Sequence, residues 1–219
     1  MAPEFRSRPD GTKYPLRNGG GGGPLVAVGV FAIAAAGGGG VAGTAGITGA
    51  GASAAETAVV RGIGQNLGKA TKQVRAGKPQ QAWRTMRLQR GSSLRDTAEC
   101  ALISFGEVQE FLVQHGCRDI GRVQFPLTHE GGTMSVLVSE VRLRSAGDAR
   151  EFKARMDEHG TGDIRPISPR PAFTGEHYDS ARRGSTVLVA EAEPAAGSTS
   201  EELLDTTAEA AVALARAVS

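Results

Sequence analysis

Between Asn18 and Ala55 the chain carries no charged side chain. A run of that length exceeds the roughly 20 residues that a helix needs to cross a bilayer. Its apolar character is uneven: Leu25–Ala36 is hydrophobic, whereas Gly37–Gly51 is mostly Gly, Ala and Thr. Each of the four consecutive glycines costs a helix about 1 kcal/mol relative to Ala. In lipid, however, the backbone must satisfy its own hydrogen bonds, which favours the helix. Three fates compete. One is a single transmembrane segment over residues 25–47, with the rest of 25–55 as a spacer. Another is a secretory signal, with Arg6, Arg8, Lys13 and Arg17 ahead of the apolar core and "ASAA" at Ala52–Ala55 as a cleavage site. The third is a low-complexity soluble linker. The anchor is the reading adopted. Four cations precede the segment and four follow within about 20 residues (Arg61, Lys69, Lys72, Arg75), so charge asymmetry sets no orientation.

A net charge of +2 conceals a second asymmetry. From Thr57 to Arg95 there are Arg61, Lys69, Lys72, Arg75, Lys78, Arg84, Arg87, Arg90 and Arg95, and no acid. Residues 1–24 thus form a basic tail, 25–55 the uncharged segment, 56–95 a basic connector and 96–219 a balanced domain. Val60, Ile63, Leu67 and Val74 recur at helical spacing, although several glycines weaken a helix and Pro79 interrupts it. Cations next to an apolar segment suit an anionic membrane surface, each contributing about 1 kcal/mol. The eight up to Arg90 are the candidate contacts. Nucleic acid is the rival polyanion, but no aromatic interleaving supports it. Trp83 and Met86 are expected to dock on the domain. With aromatics at only 5%, a large aromatic-lined pocket is not expected.

Beyond residue 96 the patterns sharpen. "ECALIS" (Glu99–Ser104) reads as a strand. "GEVQEFLVQHG" is a helix with Val108, Phe111 and Leu112 on one face, Ser104 as its cap and Gly116 as its stop. "IGRVQFPL" and "TMSVLVSEVRLR" alternate around a "THEGG" turn and form a hairpin. In the second strand Met134, Val136, Val138, Val141 and Leu143 point inward, which demands an irregularity near Ser139. A helix closing at Gly160, a loose segment with a short strand at Asp163–Ile167, the strand "STVLVAEAE" and a final helix follow. This order predicts an α+β domain with the βαββαβ topology of a ferredoxin-like split sandwich plus a C-terminal helix. Such a sheet often pairs with a second copy, so a homodimer is among the expected assemblies.

Cys100 and Cys117, the only cysteines, fall at one end of a strand–helix unit. Either they form a disulfide, placing the domain outside the cytoplasm, or they are two buried thiols. The stretches "AWRTMRLQ", "SFGEVQEFLVQHGCRDIGRVQFPL", "FKARMDEHGTGDIRPIS" and "FTGEHYDSARRGSTVLVAEAEP" resemble a group of membrane-anchored or secreted proteins of high-GC Gram-positive bacteria whose function is uncharacterised. The shared features are a Cys, a helix, a second Cys followed by Arg, a turn at Gly160–Gly162 and an FTG…Y…S segment. The resemblance spans roughly residues 82–219. It implies a common domain with its cysteines paired, and no activity.

Catalytic patterns are thin. His115, His129, His159 and His177 show no metal-ligand spacing. "RRGSTV" is not a nucleophile elbow, and the glycines at 19–23 and 62–68 lack nucleotide-loop spacing. No metal or cofactor is expected. The densest polar cluster is the candidate recognition loop Glu176, His177, Tyr178, Asp179, Ser180, Arg182 and Arg183. The leading expectation is a membrane-anchored, extracytoplasmic, non-enzymatic domain that binds a protein or envelope partner. The alternatives are a secreted domain, or a hydrolase using His177 with Glu176 or Asp179.

Overall fold

In the computed structural model, the described residues are 52–218 together with a strand pair, Glu4–Ser7 (β1) and Lys13–Leu16 (β2). The membrane segment proposed at 25–47 lies outside them. Among the described residues, no helix is long and apolar enough to cross a membrane.

The basic stretch folds as one 22-residue helix, α1 (Ala54–Arg75), despite its glycines. Two things offset their cost. Ser53 and Glu56 form a reciprocal capping box, and Val59, Ile63 and Ala70 are buried, because tertiary packing outweighs propensity. Helix α2 (Pro79–Thr85) starts on Pro79, where the missing N–H costs nothing, and it buries Ala82 and Trp83. Residues 56–95 are expected from the sequence to be a partly helical connector outside the domain. Val59 through Leu88 of that span instead contribute to its core, and Trp83 and Met86 dock as expected.

Next come β3 (Gln89–Arg90), β4 (Leu94–Ala98), α3 (Gly106–His115), β5 (Cys117–His129), β6 (Gly132–Leu143), α4 (Ala146–Met156), β7 (Tyr178–Arg183), β8 (Thr186–Gly197) and α5 (Glu201–Arg216). The last six strands form one antiparallel sheet. Both β3 and β4 pair with β5, and the order continues through β6 and β8 to β7. The α+β class stands, but the split βαββαβ order does not. Residues 99–103 make no sheet strand, and β6 pairs directly with β8 where the expected first strand would lie. Ser104 forms only an isolated bridge to Ile164 and caps no helix; its hydroxyl donates to the Cys100 carbonyl at 2.8 Å. The short strand expected at 163–167 reduces to that bridge. Helix α4 ends at Met156, before Gly160, and Asp157 caps it.

Helices cover both faces of the sheet. On one face, α1, α2 and α5 pack over Phe125, Leu127, Met134, Val136, Leu188 and Ala190. On the other, α3 and α4 pack over Ile120, Val141, Leu143, Val187 and Val189. This explains β6. No irregularity occurs near Ser139: Val138 through Val141 pair with Ala190 through Val187 in unbroken register. Val136 and Val141 are both inward because opposite ends of the strand bury opposite faces. A strand buried on both sides loses simple alternation.

The turn at Gly160–Gly162 fixes α3. Gly162 has φ +106°, and a Cβ there would sit 2.1 Å from the Phe105 carbonyl oxygen. Only glycine fits so close a backbone crossing. The crossing lets Val108 N–H donate to the Thr161 carbonyl and Phe105 N–H to that of Asp163. Cys100 and Cys117 are joined in a disulfide with Cα atoms 6.2 Å apart, inside the usual range. It ties the turn before α3 to the start of β5.

Candidate functional site

Strand parity divides the polar residues of the sheet between two surroundings. On the α3/α4 face three of them are held by hydrogen bonds within the fold. Arg122 is 6% exposed; it pairs with Asp96 and donates to the Arg165 carbonyl. Gln124 donates to Ser135 Oγ (3.2 Å) and accepts from Ser168 N–H (2.8 Å). Glu193 accepts from Thr174 N–H (2.7 Å) and Oγ1 (2.6 Å). The irregular segment 163–177 therefore crosses from β5 to β8 and supplies hydrogen-bond partners to Arg122, Gln124 and Glu193. Asp157 closes the row, accepting from Tyr178 Oη (3.1 Å) and Ser180 Oγ (2.6 Å) and pairing with Lys153. The FTG…Y…S residues are thus structural fasteners in this fold.

The opposite face leaves an opening. A cleft of about 350 Å³ lies between the edge of the sheet, α2 and the C-terminal part of α5. Val123, Phe125, Val138 and Leu188 line it from the sheet, Trp83 from α2, and Leu214 and Ala215 from α5. Register also brings Arg95 beside Val123 and Thr97 beside Gly121 at the outer edge. Gly121 has no positive φ, and a Cβ there would meet nothing within 4 Å. The missing side chain leaves the cleft open.

Two cations border this apolar surface. The Arg90 guanidinium lies 4.2 Å from the centroid of the Phe125 ring, a cation–π contact. Its pKa is lowered, first by burial and then by the nearby Arg95 charge. Among the described residues neither arginine has an ion-pair partner. Two carboxylates also line the cleft: Glu140, paired with Arg142 at 3.1 Å, and Asp96, held by Arg122.

The sequence-derived candidates fall elsewhere. Arg61, Lys69, Lys72 and Arg75 share the exposed stripe of α1, opposite Val59, Ile63 and Ala70. Lys78, Arg84 and Arg87 continue the exposed basic surface, while Arg90 turns into the cleft. Residues 178–183, read as a loop, are strand β7, so their side chains alternate between faces. His177 pairs with Asp205 of α5 (2.8 Å), and Asp179 lies near Glu209 of the same helix. Tyr178 and Ser180 point to the opposite layer, toward Asp157. Glu176 is half-buried at the start of the segment, its N–H on Thr174 Oγ1; Arg182 and Arg183 are exposed at the hairpin end. His177 and Asp179 thus share the side that faces α5, and Tyr178 and Ser180 the other.

Buried acids and bases here are electrostatically active. Burial and the Glu209 charge push Asp179 up to about 7. Burial lowers the His177 pKa, but the hydrogen bond and charge of Asp205 outweigh it and leave a net rise. Burial raises the Glu56 pKa, but N–H donors from Ser53 and Ser200 prevail and lower it. Glu56 thereby joins the starts of α1 and α5. The cleft residues Gly121, Val123 and Phe125 escaped the sequence reading; the only local signal was the glycine interrupting an alternating strand. Compared with protein-family models, curated proteins and solved structures, the chain matches none of them.

Proposed function

We propose that the protein is a single-pass, membrane-anchored domain that works outside the cytoplasm by binding rather than by catalysis. The observation that carries this reading is the Cys100–Cys117 disulfide, because such bonds persist in oxidising compartments and are rare in the cytosol. Two features support it. The uncharged run up to Ala55 leads directly into α1, and the exposed stripe of α1 carries four cations within reach of an anionic leaflet. The cleft on the same face of the sheet is the binding site of this reading. Membrane fractionation of cells expressing the full chain, with thiol alkylation before lysis and intact-mass measurement, tests it. The expected result is a full-length membrane-bound chain that takes up no alkylating reagent. A cytosolic chain with both thiols alkylated overturns it. Recovery of a shortened, disulfide-bonded chain in the medium replaces the anchor with a cleaved signal.

A further inference from the structure

The cleft combines features that no internal role of the fold explains. Its sheet surface is apolar but incompletely covered: Val123, Val138, Val74 and Ala215 are partly exposed at the edge of an otherwise buried core. Exposed apolar surface in a concavity marks a binding site more often than it serves stability. The volume lies near the lower end of the range of about 300–1,000 Å³ usual for small-molecule sites, which fits one aliphatic chain and excludes a two-chain lipid. On the α3/α4 face every arginine and carboxylate named above is matched by a partner in the fold. Here Arg90, stacked on Phe125, and Arg95 line one cleft with no ion-pair partner among the described residues, although like charges repel. An anion seated between them would remove that repulsion, and arginine recognises a carboxylate through paired N–H donors.

We propose that this cleft binds an aliphatic carboxylate, its chain lying on Val123, Phe125, Val138 and Leu188 and its head between Arg90 and Arg95. The inference deepens the binding reading by naming the ligand class, and it does not depend on the compartment. A cytosolic chain would leave it standing, and a failed titration would leave the location standing.

Trp83 is the only tryptophan and lines the cleft, so it reports occupancy. The test titrates the full chain, held in zwitterionic nanodiscs, with 11-bromoundecanoate, whose bromine quenches indole fluorescence on contact. Saturable quenching is expected. Gly121→Leu fills open space and should weaken binding by at least about tenfold, because the chain then meets a side chain. Arg95→Gln, at an exposed position, should weaken it about tenfold through loss of a charged hydrogen bond. 11-Bromoundecanol should bind as weakly to the native chain as the acid does to Arg95→Gln. Absence of saturable quenching overturns the proposal, as does quenching unchanged in Gly121→Leu. Equal affinity for alcohol and acid overturns the assignment of the two arginines.

Discussion

The two faces of the sheet are built from the same strands but treat their polar residues in opposite ways. On the α3/α4 face, Arg122, Gln124 and Glu193 are buried and each finds a partner in segment 163–177. Across the sheet, Arg90 and Arg95 border an apolar cleft and have no ion-pair partner among the described residues. Strand parity alone decides the difference: Arg122 lies next to Val123, and one step along the strand changes the face. The sealed face holds Arg122, Gln124 and Glu193 within the fold, and the open one retains capacity for binding.

Perturbing the sealed face should therefore cost stability without affecting ligand. Opening the disulfide with Cys100→Ser and Cys117→Ser should destabilise the domain by about 3 kcal/mol and leave bromoundecanoate affinity unchanged. Urea unfolding alongside the Trp83 titration measures both; loss of binding in a folded double variant would join the two faces and break the contrast. Glu193→Ala removes the acceptor for Thr174 and should cost about 2 kcal/mol, again with binding intact.

A pH effect comes next. The Asp179 carboxyl is held protonated in the folded chain up to about 7, against an ordinary value of 3.8. Between those pH values the folded state binds more protons than the unfolded one, so stability falls as pH rises. The raised His177 acts in the same direction: its stabilisation is complete below its ordinary value of 6.5 and is lost as pH climbs through its folded value. Asp179→Asn should flatten the lower part of this decline in urea unfolding followed from pH 4 to 8. An unchanged slope would refute the assignment to Asp179. The smallest effect concerns Gly64 and Gly68, where an added Cβ meets nothing within 4 Å. Alanine at either should raise thermal stability by about 0.5–1 kcal/mol; no gain would deny that α1 persists as one helix in solution.

Much of the fold was legible where one element buries one face. Helices α3, α4 and α5, the β5–β6 hairpin and β8 follow from apolar spacing, glycine stops and a two-residue turn. Legibility failed where that premise fails. In the Glu99–Ser104 run Cys100 and Ile103 join the α3/α4 core while Leu102 is exposed, and the run enters no sheet strand. Tyr178–Arg183 looked like a loop because its side chains bond to Asp157 or face α5 rather than alternate apolar and polar. Helix α1 showed in the spacing of Val60, Ile63, Leu67 and Val74, but its glycines, whose cost burial and capping offset, hid its length. The cysteine pair was visible as a pair. The cleft was not, because Trp83, Arg95, Gly121 and Leu214 meet only through strand pairing and helix docking.

The most direct test of the contrast between the two faces is amide hydrogen exchange of the full chain in nanodiscs, with and without undecanoate. Ligand should slow exchange in residues 94–98, 121–125 and 211–218 and leave residues 100–117 and 146–177 unchanged. Protection centred on α3, α4 or segment 163–177, or none anywhere at saturating ligand, would contradict it.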